Sequence, residues 1–134
     1  MKSPKDIRHK TRMRLIEVLY ARHLNPQTEE PEKHVYKIDP ILYSELMDDY
    51  TRHELEIVAA IEKYSKRSID DIKNIEYVVL AVALSESYFS ETTPYKVAID
   101  EAIELARDYS DNTSASFVAG VLGAAFEDKF KSNN

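Results

Sequence analysis

The chain has 134 residues, with 18 Lys and Arg against 24 Asp and Glu, four histidines and no cysteine. Its length suits one domain with a real core, and a hydrophobic content of 43% excludes a disordered chain. Without cysteine, a disulfide framework, a thiolate zinc site and a cysteine nucleophile are excluded, and the formal charge of −6 argues, as a total, against a phosphate-rich partner.

The first helix is expected over residues 4–22, with Ile7, Leu15, Val18 and Leu19 forming an inward stripe. Its start carries Lys2, Lys5, Arg8, Lys10, Arg12 and Arg14 against the single acid Asp6, a charge of +5 over residues 1–14 before His9 is counted. The other residues hold 12 basic and 23 acidic side chains, or −11, so the chain reads as an acidic body with a basic end. On a helix Arg8 with Arg12 and Lys10 with Arg14 stand four apart. Like charges crowded beside the positive end of the helix dipole favour an external anion. A solvated helix start and a phosphate-binding arm both fit that charge pattern.

Asn25-Pro26 ends the helix. Residues 25–40, with three prolines and four acids, read as one long surface loop with an extended turn at Val35-Tyr36. Pro40 opens a second helix, capped by Asp39, that turns Ile41, Leu42 and Leu46 inward. Thr51-Arg52-His53-Glu54 has the capping-box pattern. It either starts a third helix carrying Leu55, Val58, Ala59 and Tyr64 or lies within a continuous second one. Ser68, Asp70 and Asp71 mark a short helix around Ile69 to Ile72, which either precedes or merges with a helix over 75–89. There the run from Tyr77 to Leu84 is apolar on every face, which predicts a central helix wrapped by its neighbours, with a buried strand as the rival reading.

Thr93-Pro94 restarts the chain as a cap followed by a first-turn proline. Beyond it Tyr95, Ile99, Ala102, Ala106 and Tyr109 repeat along one face, while Lys96, Asp100, Glu101, Glu104 and Arg107 face outward. The last helix, over 114–130 after the turn-rich 110–113, holds both glycines, Gly120 and Gly123. A glycine costs about 1 kcal/mol relative to alanine inside a helix, so close backbone packing is expected there. With no convincing alternation for a strand, the fold class is all-α over residues 1–134.

Catalytic patterns are missing. His9, His23, His34 and His53 show no metal-ligand spacing and read as solvated, and the adjacent pairs Asp48-Asp49 and Asp70-Asp71 do not face each other on a helix. There is no nucleophile elbow, no phosphate loop and no dinucleotide fingerprint. The chain therefore reads as a binding protein rather than an enzyme, with no cofactor or metal expected. A basic start without an apolar segment behind it, and an apolar run too short to span a bilayer, point to a cytoplasmic protein with no membrane role.

Residues 93–122, TPYKVAIDEAIELARDYSDNTSASFVAGVL, closely resemble the signature C-terminal helices of the NusB family of bacterial transcription antitermination factors, roughly PYKVAINEAIELAK…FVNGVLDK. RHKTRMRLIEVLY resembles the family's start, where an arginine-rich run precedes A-x-x-x-LY. With IEYVVLAVALSE, residues 75–86, the likeness covers most of the chain outside 25–66.

The resemblance implies about seven helices in two packed three-helix bundles. It implies binding of single-stranded boxA-like RNA together with NusE, a small-subunit ribosomal protein, in an antitermination complex on RNA polymerase, by a monomer or a homodimer. Carried over by position, the RNA-binding residues are Arg8, His9, Lys10 and Arg12 with Lys5 beside them, the RNA-proximal aromatic is Phe117 with Ser114 on the same lip, and the acid of the NusE-facing helix is Glu76. For these to share one strand, the N-terminal turns of the first and last helices must lie close together. Cations then hold the backbone while the aromatic stacks on a base, a contact worth about 1–3 kcal/mol. The plain alternatives are a core role for Phe117 and an outward helix face for Glu76. His9 and Lys10 replace family arginines, Ala119 replaces the usual asparagine and Gly123-Ala124 the usual Asp-Lys. The loss of bidentate guanidinium donors keeps a second reading open, a protein–protein adaptor of the same fold with weak or lost RNA affinity.

Overall fold

A computed structural model describes residues 4–28 and 37–132. Among these residues, six α-helices follow one another: α1 (Pro4–Leu24), α2 (Pro40–Arg52), α3 (Glu54–Tyr64), α4 (Asn74–Ser87), α5 (Tyr95–Tyr109) and α6 (Asn112–Ser132), with one 3-10 turn, Ile69–Asp71, before α4. The described residues form no strand, so the all-α expectation holds and the strand reading of the central run falls away. The turn expected at Val35-Tyr36, and His34, lie outside the described residues.

The sequence of α4 explains the architecture. Every residue from Val78 to Ser87 is buried, so this helix has no solvent face and each of the other five packs on it. α1, α2 and α4 form one three-helix group, α4, α5 and α6 another, and α3 closes against α4 and α6. Leu80 and Leu84 are fully buried, and each such side chain contributes about 1.5–3 kcal/mol of transfer free energy. Arg12 of α1 meets Glu86 near the end of α4, while His23 stacks on Tyr77 near its start, at 4.9 Å between ring centroids, so α1 and α4 are antiparallel. α6 runs parallel to α4, since Lys73 bridges to Asp111 at one end and Lys129 donates to the Tyr88 carbonyl at the other.

Local signals set several boundaries. The Asp39 carboxylate accepts the N–H groups of Ile41 and Leu42 at 3.0 and 3.1 Å, with Pro40 at the first helical position. Asp111 caps α6 by accepting the Ser114 N–H at 2.8 Å, so α6 starts two residues before the expected 114.

Other expectations are corrected. The box at Thr51 does not cap a helix: α2 continues to Arg52, and the chain breaks at His53, where no side chain caps α3. The face of α3 is also turned, with Ile57, Ala60 and Ile61 buried, Ala59 exposed and Leu55 87% exposed. Ile41 is likewise 72% exposed, because the packing of α2 on α4 buries Leu46 on the opposite flank. Thr93 leaves the capping role, since its hydroxyl donates to Glu86 at 2.8 Å. Glu101, read as outward, is buried. Gly120 and Gly123 are solvent-exposed, and a Cβ at either would meet nothing within 4 Å, so close packing is not the reason for them. Among the described residues no helix is long and apolar enough to cross a membrane.

Candidate functional site

The basic start of α1 lies over the C-terminal end of α4 and the first half of α5. Arg12 is 3% exposed, and its Nε and Nη2 donate to the Glu86 carboxylate at 3.0 and 3.1 Å. Nη2 also donates to Thr93 Oγ1 at 3.2 Å, completing a buried three-residue cluster. Burial holds the Glu86 carboxyl above its ordinary range, against the smaller lowering effects of the Arg12 charge and the hydrogen bonds from Arg12 and Thr93. This arrangement differs from the expected RNA contact at Arg12. The guanidinium joins α1 to α4 and to the link before α5, because an acid at the end of an all-buried helix needs a buried cation.

His9 is also turned inward, with Nδ1 2.7 Å from Glu101 Oε2. Lys10 Nζ lies 3.4 Å from Asp6, one turn back. Arg8 is exposed and makes no ion pair among the described residues. The Lys5 side chain lies outside them. Thr11, fully buried, donates to the Ile7 carbonyl and accepts the Asp39 N–H, which ties the cap of α2 to this part of α1.

The other mapped residues gather at the opposite end of α4. Glu76 is 1% exposed, and its Oε1 accepts the Lys73 N–H and an Arg67 guanidinium N–H, both at 2.9 Å. Its Oε2 has no hydrogen-bond partner among the described residues. Arg67 continues outward to lie 3.9 Å above the Phe117 ring centre, a cation–π contact. Phe117 is half-buried, while Ser114 is fully buried with its hydroxyl 2.8 Å from that of Ser110. The Ser114 N–H, then Lys73, holds the Asp111 carboxyl below its ordinary range. Glu76 is therefore neither an outward face nor an exposed contact, and it organises the start of α4.

The two sets do not lie close together. They are separated by the ten residue steps from Glu76 to Glu86, about 15 Å along the helix. The parallel course of α6 and α4 against the antiparallel α1 places Phe117 at one end and Arg8 at the other. Two features escaped the sequence reading. Arg67 has no local signal, but Glu86, an acid at the end of the apolar run, could have flagged a buried partner. A groove of 310 Å³, lined by residues including Leu19, His23, Met47 and Tyr50, adjoins a hollow of 240 Å³ that shares His23 and reaches Ile69 and Tyr77. Burial there pushes the Tyr77 hydroxyl up to about 12.

Comparison with known proteins agrees with this architecture. Residues 8–127 match the model of the NusB family. The transcription antitermination protein NusB of Lactiplantibacillus plantarum is 34% identical over 127 residues, covering 87% of this chain and 91% of that protein. That of Finegoldia magna is 29% identical over 130 residues, covering 91% and 95%. A chain in the crystal structure of a plectonemic RNA supercoil superposes with a TM-score of 0.77 at 25% identity, covering 92% of this chain and 96% of that one. The helical order, the basic start of α1 and the family match over 8–127 together make this chain a member of the NusB family of transcription antitermination proteins.

Proposed function

We propose that the chain binds single-stranded boxA-like RNA through the start of α1, jointly with the ribosomal protein NusE, within an antitermination complex on RNA polymerase. The observation that carries this reading is Arg8, an exposed guanidinium without an ion pair among the described residues, in the segment that holds +5 of charge in an otherwise acidic chain. Lys5 and Lys10 extend the cationic track. Acidic surfaces elsewhere repel phosphate, so the RNA engages the chain first at this end. Phe117 is the stacking residue of the proposal, with Arg67 beside it, and the RNA then crosses the outer faces of the helices that cover α4, over about 15 Å from the Arg8 end to the Phe117 end. NusE docks near the start of α4, on the surface that Glu76 supports from within. The chain acts by binding, without catalysis, in the cytoplasm.

One observation favours the second reading, an adaptor with weak RNA affinity: His9, Lys10 and Arg12 already face Glu101, Asp6 and Glu86. Titration of labelled boxA-like RNA, with and without NusE, at two salt concentrations separates the readings. Arg8→Glu with Lys10→Glu is expected to weaken RNA binding and reduce the salt slope by about 1 per lost phosphate contact, with helicity unchanged. RNA affinity indifferent to those changes, with NusE binding retained, establishes the adaptor instead.

A further inference from the structure

His9 has two ring nitrogens, and Nδ1 is engaged by Glu101, a carboxylate only 5% exposed. A buried carboxylate that accepts a hydrogen bond from Nδ1–H favours the tautomer with its lone pair on Nε2, the arrangement that orients and strengthens metal-bound imidazoles. Further along α5, Glu104 and Asp108 stand four residues apart on one helix face. A ring nitrogen of His9 and one oxygen of each carboxylate lie within 4.8 Å of one another. Both acids are exposed, and neither makes an ion pair among the described residues, so two like charges stand one helical turn apart beside the His9 ring.

We propose that His9 Nε2, Glu104 and Asp108 bind one divalent transition ion of the Zn²⁺ class, which clamps the start of α1 to α5. Glu101 is the positioning residue that holds the ring. One imidazole and two carboxylates suit Zn²⁺, whose ligand atoms lie about 2.0–2.2 Å from the ion and thus about 3.3 Å from one another. Exposed Glu104 and Asp108 close that gap by rotation about their own side-chain bonds. The remaining coordination position faces solvent and takes water. Mg²⁺ is a poor fit, since it prefers an octahedron of oxygens and gives up its waters reluctantly. A bound ion offsets two negative charges beside the basic helix start and fixes the backbone that carries Arg8. The inference stands apart from the RNA reading, because it needs only these four side chains.

Equilibrium dialysis of the full chain against Zn²⁺, with metal analysis and a parallel Mg²⁺ arm, tests it. One Zn²⁺ per chain is expected, with slower amide exchange in the first turns of α1 when the ion is bound. Glu104→Gln with Asp108→Asn is expected to weaken Zn²⁺ binding more than tenfold, and both positions are exposed, so circular dichroism should not change. Glu101→Gln keeps the side-chain shape, removes the charge and is expected to weaken binding about tenfold. His34→Gln with His53→Gln should leave the affinity as it was. Zn²⁺ affinity unaltered in the Glu104/Asp108 variant, equal competition by Mg²⁺, or loss of the ion in the His34/His53 variant overturns the proposal.

Discussion

Arg12 and Glu86, 74 residues apart in sequence, form a two-pronged ion pair that is almost completely buried, with side chains 4% and 1% exposed. Taking one charge away leaves the other desolvated without a partner. Arg12→Ala is expected to destabilise the fold by about 3–5 kcal/mol, read from urea denaturation. The joint replacement Arg12→Met with Glu86→Leu should recover most of that loss. An Arg12→Ala chain of wild-type stability would show that the pair carries no structural weight. Charge reversal at Arg12 therefore tests the fold rather than RNA binding.

Glu76 poses a similar question at the other end of α4. Its Oε1 satisfies both the Lys73 N–H and Arg67, so Glu76→Ala strands two donors and is expected to cost about 1–3 kcal/mol. Glu76→Lys should cost more, because it sets a second cation against Arg67 in a buried site. The check is the thermal midpoint of each variant beside its NusE co-purification. A Glu76→Lys chain that keeps its midpoint and loses NusE would make the carboxylate a direct partner contact.

Gly120 and Gly123 sit on the solvent side of α6 with open space where a side chain would begin. Neither has a positive φ. Alanine at each position restricts the unfolded chain and adds no clash, so Gly120→Ala and Gly123→Ala should each stabilise the fold by about 0.5–1 kcal/mol. Calorimetry should show the thermal midpoint rising. A fall would mean that the exposed face of α6 is occupied, for example by a second copy of the chain.

Tyr64 donates a 2.5 Å hydrogen bond to Asp128, which joins α3 to α6. The bond holds the Asp128 carboxyl below its ordinary range and pushes the Tyr64 hydroxyl up. A lowered acid contributes stability that is present above the ordinary carboxylate value, about 3.9, and is lost as pH falls through the folded one. The raised hydroxyl contributes stability that is present below about 10 and is lost as pH rises through its folded value. Asp128→Asn and Tyr64→Phe should accordingly flatten the acid and alkaline limbs, respectively, of the urea midpoint plotted against pH. Unchanged limbs would mean that the bond is not populated in solution.

Features that depend on neighbours a few residues away were legible in the sequence. The Asp39-Pro40 start, the central position of α4, the inward Ala102 and Ala106 of α5 and the basic charge of residues 1–14 all follow from local chemistry or from a run with no polar face. The tilt of α3 was not legible. A helix that contributes only a few apolar positions, among them Leu55 and Ile57, fits more than one face, and the break at His53 and the packing on α4 select one. Nor was the fate of the charges. Residue type states that Arg12, His9, Glu76, Glu86 and Glu101 carry ionisable groups, but the desolvation and pairing that decide their roles arise between helices brought together from distant parts of the chain. Residue order alone specifies a helical domain with a positive end. The tertiary structure decided which cations remain open to a ligand, because burial and partner distance are properties of packed surfaces and not of the order of residues.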